Sequence, residues 1–465
     1  MKIHMIGICG IAMGTLAQMF AYKGHNVSGS DAGIYPPMSD ILMKSNISLF
    51  DGYNEENISG ADLVVIGNAV SRGNPEAEFV LNHKIPYMSM AGALREYFLK
   101  DKDVIAVAGT HGKTTTTALL AHILNIAGEE PSFFIGGVAK NFYSSWGIGN
   151  GRYFVIEADE YDSAFFEKTP KFIYYKPDHL IMTSLEFDHA DIYNNVEEIE
   201  LWFKRLVNII PSDGNIIRCS LYERLNSVCR NSLSRNYTYG NASSDFHFTE
   251  PSYKGEFSNL NFVSSDGEMS FTTELFGGFN FQNIAAAVSM AFNIGIDKKK
   301  IIEAVGSFKG VLRRQELIYT KKNIKIYEDF AHHPTAVKGV VTAFRKRFPG
   351  CRLIAVFEPR SATSRRNVFQ NEFPLAFSGA DRVMIKSPFE KGNISADEKF
   401  NANQAVDDMK RSGINADLFK STDEIITQIL KEIDFDSEIV ILVMSNGGFD
   451  GIYNNLKDEI DGVII

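Results

Sequence analysis

Cysteine is scarce. The chain has four in 465 residues, Cys9, Cys219, Cys229 and Cys351, with no Cys-x-x-Cys spacing. A disulfide frame and a structural zinc site are therefore not expected. Each thiol reads as a small buried apolar residue, and a reducing compartment fits. Long apolar runs are also missing, and none approaches the ~18 residues that would span a bilayer. The opening MKIHMIGICG is too short an apolar stretch for a secretion signal and has no small-residue cleavage site. A cytoplasmic protein without a membrane role is expected. Positive charge is not in excess: 47 Lys and Arg face 57 Asp and Glu, a net charge of −10. With no basic stripe, a broad nucleic-acid or anionic-lipid surface is not expected. Anionic ligands must then be held by local devices. Low-complexity tracts and internal repeats are lacking too. What is plentiful is apolar: 45% of residues are hydrophobic, with 35 Phe and 18 Tyr, enough for several buried cores. At ~100–200 residues per domain, about three domains are expected.

Strand and helix patterns alternate along the chain. KIHMIGI, HNVSGSD and LVVIGNAV read as strands, with AMGTLAQMFAYKG (closed by Gly24) and SDILMKSN as helices between them. Strands separated by helices imply a parallel sheet. A charged patch, Lys100 to Asp103, reads as a linker. DVIAVAGTHGKTTTTALLAHILNIAG then repeats the scheme of strand, glycine turn and helix, and FFIGG, YFVIEAD and HLIMTSLEFD add strands. From about 212 to 278 short alternating runs such as SDFHFTEP and GEMSFTTELF suggest antiparallel hairpins. FNFQNIAAAVSMAFNIG is a helix ending at Gly295. A further α/β unit starts near 312, with strands KIYEDFA, CRLIAVFEP, ADRVMIK and EIVILVMS. The expected fold class is α/β in three domains. Residues 1–100 form a Rossmann-like N-terminal domain, 101–311 a central P-loop domain with added antiparallel strands, and 312–465 a Rossmann-like C-terminal domain.

The sharpest local signal is Ala108-Gly109-Thr110-His111-Gly112-Lys113-Thr114-Thr115, between an apolar strand and a helix. Glycines let backbone amides approach phosphate oxygens, and the helix N-terminus favours negative charge. Lys113 would reach the β- and γ-phosphates of ATP, and the Thr114 hydroxyl would bind Mg²⁺. The spacing departs from GxxxxGK[ST], and a glycine turn with a surface lysine is the plain alternative. Glu157, Asp159, Glu160 and Asp162 follow one strand, and Glu186-Phe187-Asp188-His189-Ala190-Asp191 end another. Open parallel sheets place ligands at such strand ends, and Mg²⁺ takes carboxylate oxygens. Period-two alternation groups Glu157, Asp159 and Tyr161 on one face, so the four acids are not expected to share one site. A solvated acidic loop and an ordinary hydrogen-bonded histidine are the alternatives.

The turn Gly7-Ile8-Cys9-Gly10-Ile11-Ala12-Met13-Gly14, with Asp31 at the end of the next strand, is a relaxed Rossmann-like loop; NAD, another nucleotide or tight packing would each explain it. Asn280 and Asn283 share a helix face and read as nucleotide contacts or as a cap. Arg313-Arg314 lie in a linker, where a cation can neutralise phosphoryl charge or simply face solvent. Asp329-Phe330-Ala331-His332-His333-Pro334 ends a strand; its double histidine suggests zinc, but no further His or Cys stands at useful spacing. Ser445-Asn446-Gly447-Gly448-Phe449 is either a third binding turn or a tight turn.

These motifs, in this order and nearly end to end, resemble the Mur ligase family, ATP-dependent amide-forming enzymes of peptidoglycan synthesis. AGTHGKTTT, EADEYD, Asp188-His189, FNxxN, the linker arginine and EDFAHHP fall at matching stations. GICGIAMG, GSD and DFAHHPT resemble the members acting on UDP-N-acetylmuramate. SDAGIYPPMSD, GNAVSRGNPE, IEADEYDSAFFEK, LEFDHADIY, EPRSATS and VMSNGGFDGI are closer to those that rejoin the tripeptide L-Ala-γ-D-Glu-meso-diaminopimelate to that sugar nucleotide than to those that add L-alanine. The resemblance implies an ATP loop at Gly109, Thr110, His111, Gly112, Lys113, Thr114 and Thr115. It implies metal ligands at Thr114, Glu157 and His189, with Lys113, Glu157 and His189 catalytic. Asn280, Asn283, Arg314 and Asp329 would contact ATP, the last at its ribose. Gly10, Ile11, Ala12, Met13 and Asp31 would hold the uridine diphosphate end. Arg360, Ser361 and Thr363, after strand LIAVF, are candidates for the tripeptide carboxylates. Lys204 stands where some relatives carry a carbamoylated lysine, though a helix-surface lysine explains it as well.

The implied chemistry is phosphorylation of a carboxylate, followed by amine attack on the acyl phosphate. Four rivals remain at this point: an L-alanine ligase, a hydrolytic P-loop NTPase, a nucleotide-binding switch without chemistry, and a nicotinamide oxidoreductase.

Overall fold

The computed structural model describes residues 1–34, 38–389 and 394–463. Tyr35 to Pro37 of the SDAGIYPPMSD stretch lie outside them. Contacts divide the chain into two compact units. The first holds Met1–Glu186, Glu197–Glu274 and Gln282–Gly310; the second holds Phe187–Val196, Leu275–Phe281 and Val311–Ile465. Among the described residues no helix is long and apolar enough to cross a membrane.

The first unit contains two sheets built on parallel strands. The N-terminal one runs, edge to edge, Ser48–Asp51, Asn26–Asp31, Lys2–Ile6, Leu63–Ile66 and Tyr87–Ser89, all parallel. Its two outer strands are short and half-exposed, which is why their patterns did not stand out. The helix Ile11–Tyr22 begins directly after the Gly7–Gly10 turn, and Gly24 closes it at φ +82°. The second sheet centres on Asp103–Ala108, flanked by Tyr153–Ala158 and His179–Met182. Val104 to Ala108 are fully buried, as a central parallel strand covered on both faces requires. The helix Lys113–Ile126 leaves its C-terminal end, buried from Thr114 through Leu124.

The 212–278 stretch departs from the expected hairpins. Asn215–Cys219 and Arg235–Gly240 extend the parallel sheet, and Phe246–Phe248 joins it in parallel with Tyr239 and Gly240. The helix Glu223–Cys229 between the first two makes a crossover, which parallel pairing needs. Antiparallel pairing is confined to the contacts of Phe257–Ser264 with Phe246–Phe248, Ser252–Lys254 and Gly267–Thr273. The last of these shows the alternating burial its sequence suggested.

The second unit carries a six-stranded sheet ordered Glu316–Lys321, Ile324–Asp329, Ile439–Met444, Arg352–Phe357, Arg382–Lys386 and Ala416–Phe419, parallel except for the first strand. Helices cover both faces in two apolar clusters. The helix Pro334–Arg347 shows how local chemistry sets an element. His333 caps it by accepting the Thr335 amide, Pro334 fills the first turn, and Arg345, Lys346 and Arg347 end it. That double histidine is therefore a cap and its neighbour.

Candidate active site

In the first unit, the loop after Asp103–Ala108 is pinned to the end of the neighbouring strand. Gly109 has φ +137°, and a Cβ there would overlap the Thr183 hydroxyl and crowd the Ser184 backbone. The His111 amide donates to Ser184 Oγ at 2.7 Å, and the Thr110 amide to the Ser184 carbonyl at 3.4 Å. Thr110 Oγ1 and the Glu186 backbone bond reciprocally, and His111 Nε2 lies 2.8 Å from Glu186 Oε2. The glycine pattern predicts the loop's own amides facing a phosphate. The Thr110 and His111 amides serve instead to fix the loop. The first turn of Lys113–Ile126 leaves amides without intrahelical acceptors, the groups of a helix that suit an anion. Gly112 precedes it at φ +82°, where a Cβ would overlap Asn283 Oδ1. Asn283 also accepts from Thr116 at 3.4 Å.

Lys113 folds over this loop. Its Nζ donates to the Gly109 carbonyl at 2.6 Å and to Glu160 Oε2 at 3.1 Å, and lies 3.8 Å from Asp159. Burial works against its charge, yet the Glu160, Asp159 and Glu157 carboxylates hold it protonated well above the usual lysine range. The expected strand periodicity does not govern these acids. The strand ends at Ala158, so Asp159 and Glu160 both turn toward Lys113. Asp162 goes elsewhere, pairing with Lys168 across the hairpin of Asp162–Ala164 and Glu167–Pro170.

Glu157 accepts from the Thr114 hydroxyl at 3.1 Å and from the Gly136 amide at 2.7 Å. A Cβ on Gly136 would stand 2.8–3.0 Å from that carboxylate. Gly136 thus supports the Glu157 carboxylate, and the Gly-Gly pair inside the strand Ser132–Ala139 is its only mark in the sequence. Thr114 and Glu157 present oxygens at hydrogen-bond separation, a donor set suited to a hard divalent cation. Lys204 pairs with Glu200 at 2.8 Å on the exposed face of its helix.

The N-terminal turn is held from below. The Gly7 and Ile8 amides donate to the Ser30 carbonyl at 2.8 and 3.1 Å, and the Cys9 amide to Asp31 Oδ2 at 2.9 Å. Gly10 then opens the helix, with Ile11 exposed, Ala12 half-buried and Met13 buried. Beneath Ser30 sits Glu76, fully buried. Its carboxylate accepts from Ser30 Oγ, from the Asn54 amide at 3.1 Å and from Asn57 Nδ2 at 2.7 Å, and lies 3.4 Å from His4 Nε2. Burial opposes ionisation, but the hydrogen bonds from His4, Ser30 and Asn57 hold it below the usual carboxylate range. Asn74-Pro75-Glu76 reads in sequence as an ordinary helix start, so nothing there marked Glu76.

In the second unit, Asp188 is 6% exposed. Burial pushes its carboxyl up, but the His189, His332 and His333 imidazoles and the Thr363 hydroxyl hold it well below the usual range. His189 follows with φ +56°. Asp329 is buried; its oxygens accept the Gln315 and Ala331 amides at 2.8 and 2.7 Å. Burial shifts it upward against the opposing charge of Arg314. Arg314 lies over the Phe330 ring, while Arg313 pairs with Glu328 and donates to the Ser445 and Gly447 carbonyls. The Ser445–Phe449 turn thus receives Arg313. Arg360 packs where a Gly447 Cβ would stand and lies over Phe389. Asn280 donates to the Phe276 carbonyl and to Gln315. Ser361 accepts the Ser364 amide at 2.9 Å. Thr363, expected to grip a peptide carboxylate, is 4% exposed and turned to Asp188 at 2.7 Å.

Three family patterns match in tandem. They are described as the Mur ligase family catalytic domain over 2–101, the Mur ligase middle domain over 107–291, and the Mur ligase glutamate ligase domain over 313–447. The chain is similar to the UDP-N-acetylmuramate–L-alanyl-gamma-D-glutamyl-meso-2,6-diaminoheptandioate ligase of Escherichia coli (strain K12), at 39% identity over 99% of this chain and 98% of that one. It is similar to the UDP-N-acetylmuramate–L-alanine ligase of Clostridium tetani (strain Massachusetts / E88) at 31% identity, over 93% of this chain and 92% of that one. The crystal structure of a murein peptide ligase from Psychrobacter arcticus 273-4 matches with a TM-score of 0.72 and 35% identity, over 98% of each chain. With three matching patterns in order and full-length relatives above 30% identity, the chain belongs to the Mur ligase family.

Proposed function

We propose that this enzyme joins the tripeptide L-Ala-γ-D-Glu-meso-diaminopimelate to UDP-N-acetylmuramate at the expense of ATP, in the recycling of peptidoglycan. The observation that carries the reading is Lys113, held charged by three carboxylates at the mouth of a helix N-terminus, in a chain that matches a tripeptide ligase end to end. The lactyl carboxylate attacks the γ-phosphorus and forms an acyl phosphate, as the bond to the β-phosphate breaks and ADP leaves. The L-Ala amine then attacks the carbonyl, and phosphate leaves. A carboxylate oxygen is a poor leaving group, which is why ATP is required. Lys113 stabilises charge on the transferred phosphoryl group.

In this reading residues 1–100 hold the sugar nucleotide through Gly10, Ile11, Ala12, Met13 and Asp31. Residues 101–311 hold ATP through Gly109 to Thr115, with Asn280 and Asn283, and 312–465 hold the tripeptide. Arg314 and Asp329 contact the nucleotide, Asp329 using the lone pairs that two backbone amides leave. Arg360 and Ser361 take peptide carboxylates. Thr114, Glu157 and His189 would hold Mg²⁺, which when bound shields phosphate charge. ATP and a nucleotide sugar as co-substrates fit the cytoplasm. The Clostridium relative supports a second reading, in which free L-alanine is the amine. Mass analysis of products from ATP, UDP-N-acetylmuramate and a mixture of L-alanine and tripeptide decides between them. The tripeptide adduct is expected; an L-alanine adduct alone would overturn the reading.

A further inference from the structure

We infer that Thr363 is a positioning residue that sets the backbone of His189, and not a contact for the peptide. His189 occupies the left-handed region at φ +56°, a conformation that costs a non-glycine residue energy and persists only where its surroundings impose it. The surroundings converge on one hydroxyl. Thr363 Oγ1 donates to Asp188 Oδ1 at 2.7 Å, the same oxygen that accepts the His189 amide at 2.7 Å. It also accepts the Ala190 amide at 3.4 Å. Thr363 therefore grips the residues on both sides of His189. The His189 carbonyl is fixed in turn by the Ile192 and Tyr193 amides, at 2.9 and 3.0 Å. His333 Nδ1 accepts the Thr335 amide, so Nε2 carries the hydrogen and donates to the Phe187 carbonyl at 3.2 Å, one residue before Asp188. With its single donor and an acceptor position already used, and with 4% exposure, the Thr363 hydroxyl is poorly disposed to meet a peptide carboxylate.

This assignment rests on the proposed ligase reaction, in which His189 serves acyl-phosphate formation, a step that precedes any use of the tripeptide. The two roles for Thr363 therefore separate by half-reaction. Exchange of labelled ADP into ATP, dependent on UDP-N-acetylmuramate and run without tripeptide, reads acyl-phosphate formation alone. Thr363→Val keeps the shape and removes the hydroxyl. Its exchange rate per folded molecule is expected to fall about tenfold to a hundredfold, as for loss of a hydrogen bond to a charged group. Tripeptide affinity, measured by calorimetry on enzyme loaded with UDP-N-acetylmuramate and a non-hydrolysable ATP analogue, is expected to stay within about twofold. Thr363→Ser restores the hydroxyl and most of the exchange. If Thr363→Val does not fold, Thr363→Ala set against Thr363→Ser makes the same comparison. Normal exchange with lost tripeptide affinity would overturn the inference. So would a drop in thermal stability with exchange per folded molecule unchanged. A wild-type enzyme that exchanges normally but makes no tripeptide adduct would unseat the proposed function and not this assignment, because the exchange involves no peptide.

Discussion

Replacing Lys113 by Met separates what this side chain does for catalysis from what it does for the fold. Its ammonium lies 3.1 Å from Glu160 and 3.8 Å from Asp159. At an effective dielectric near 20, one unit charge at such a distance contributes about 4–5 kcal/mol before desolvation. A phosphoryl group developing charge within the same reach would lose a similar amount, so turnover should fall about a thousandfold. The fold pays separately. Glu160 is 1% exposed, and removing one partner of a buried pair costs about 3–5 kcal/mol. The lower end applies, because Asp159 is 31% exposed and screened by water. Urea unfolding reads the stability term, and phosphate release with ATP, UDP-N-acetylmuramate and tripeptide reads the catalytic one. Calorimetry with the sugar nucleotide should show unchanged binding, since Lys113 lies outside the Gly7–Met13 turn. The decisive variant is Lys113→Met combined with Glu160→Gln. It removes cation and anion together, so it should regain most of the lost stability and none of the lost turnover. Near-normal turnover in the single variant, or recovery of turnover in the double one, would refute the argument.

Three further outcomes follow from buried groups. Burial pushes His122 from its ordinary 6.5 down to about 4. Between those values the unfolded chain binds more protons than the folded one, so stability rises with pH across that window, by up to about 3 kcal/mol. Thermal unfolding of His122→Gln across that range should show a shallower acid limb, and an unchanged limb would contradict the assignment. Gly109→Ala forces a side chain at φ +137° into the Thr183 hydroxyl, so KM for ATP should rise at least tenfold or so, with sugar-nucleotide binding intact. Glu76→Leu strips the acceptor from Ser30, Asn54 and Asn57 beneath the N-terminal turn. KM for UDP-N-acetylmuramate should rise about tenfold while KM for ATP holds, and a parallel rise in both would point to general loosening.

Much of the architecture was legible because it depends on local chemistry. Runs such as DVIAVA and EIVILVM read as strands, and Asp103–Ala108 and Ile439–Met444 are buried strands of parallel pairs. Gly24 and Gly295 mark helix ends, and both have positive φ. Where pairing depends on what lies next in space, sequence said less. Arg235–Gly240 and Phe246–Phe248 have the composition of hairpin strands, but a short helix returns the first to the parallel sheet and the second pairs in parallel with Tyr239 and Gly240. The site divides in the same way. That Lys113, Thr114 and Glu157 come together was legible because the loop and its acids sit at strand ends, positions that topology dictates. Gly136 and Glu76 were not, and Glu160 stood out only as one of four acids not expected to share one site. Period-two reasoning fails once the strand ends at Ala158, a glycine that donates one amide looks like any other, and a buried acid after Asn-Pro looks like a helix start.

Thr363 belongs with these, and it shows why the misses share a cause. Each acts through a partner distant in sequence: 175 residues separate Thr363 from Asp188, and 46 separate Glu76 from Ser30. Residues that would cradle phosphate sit in one short motif because a loop and the helix N-terminus after it supply neighbouring groups. Residues that hold a motif in place are under no such constraint, so they are scattered. A hydroxyl near a strand end therefore reads as a ligand contact until the structure shows which carboxylate it already serves.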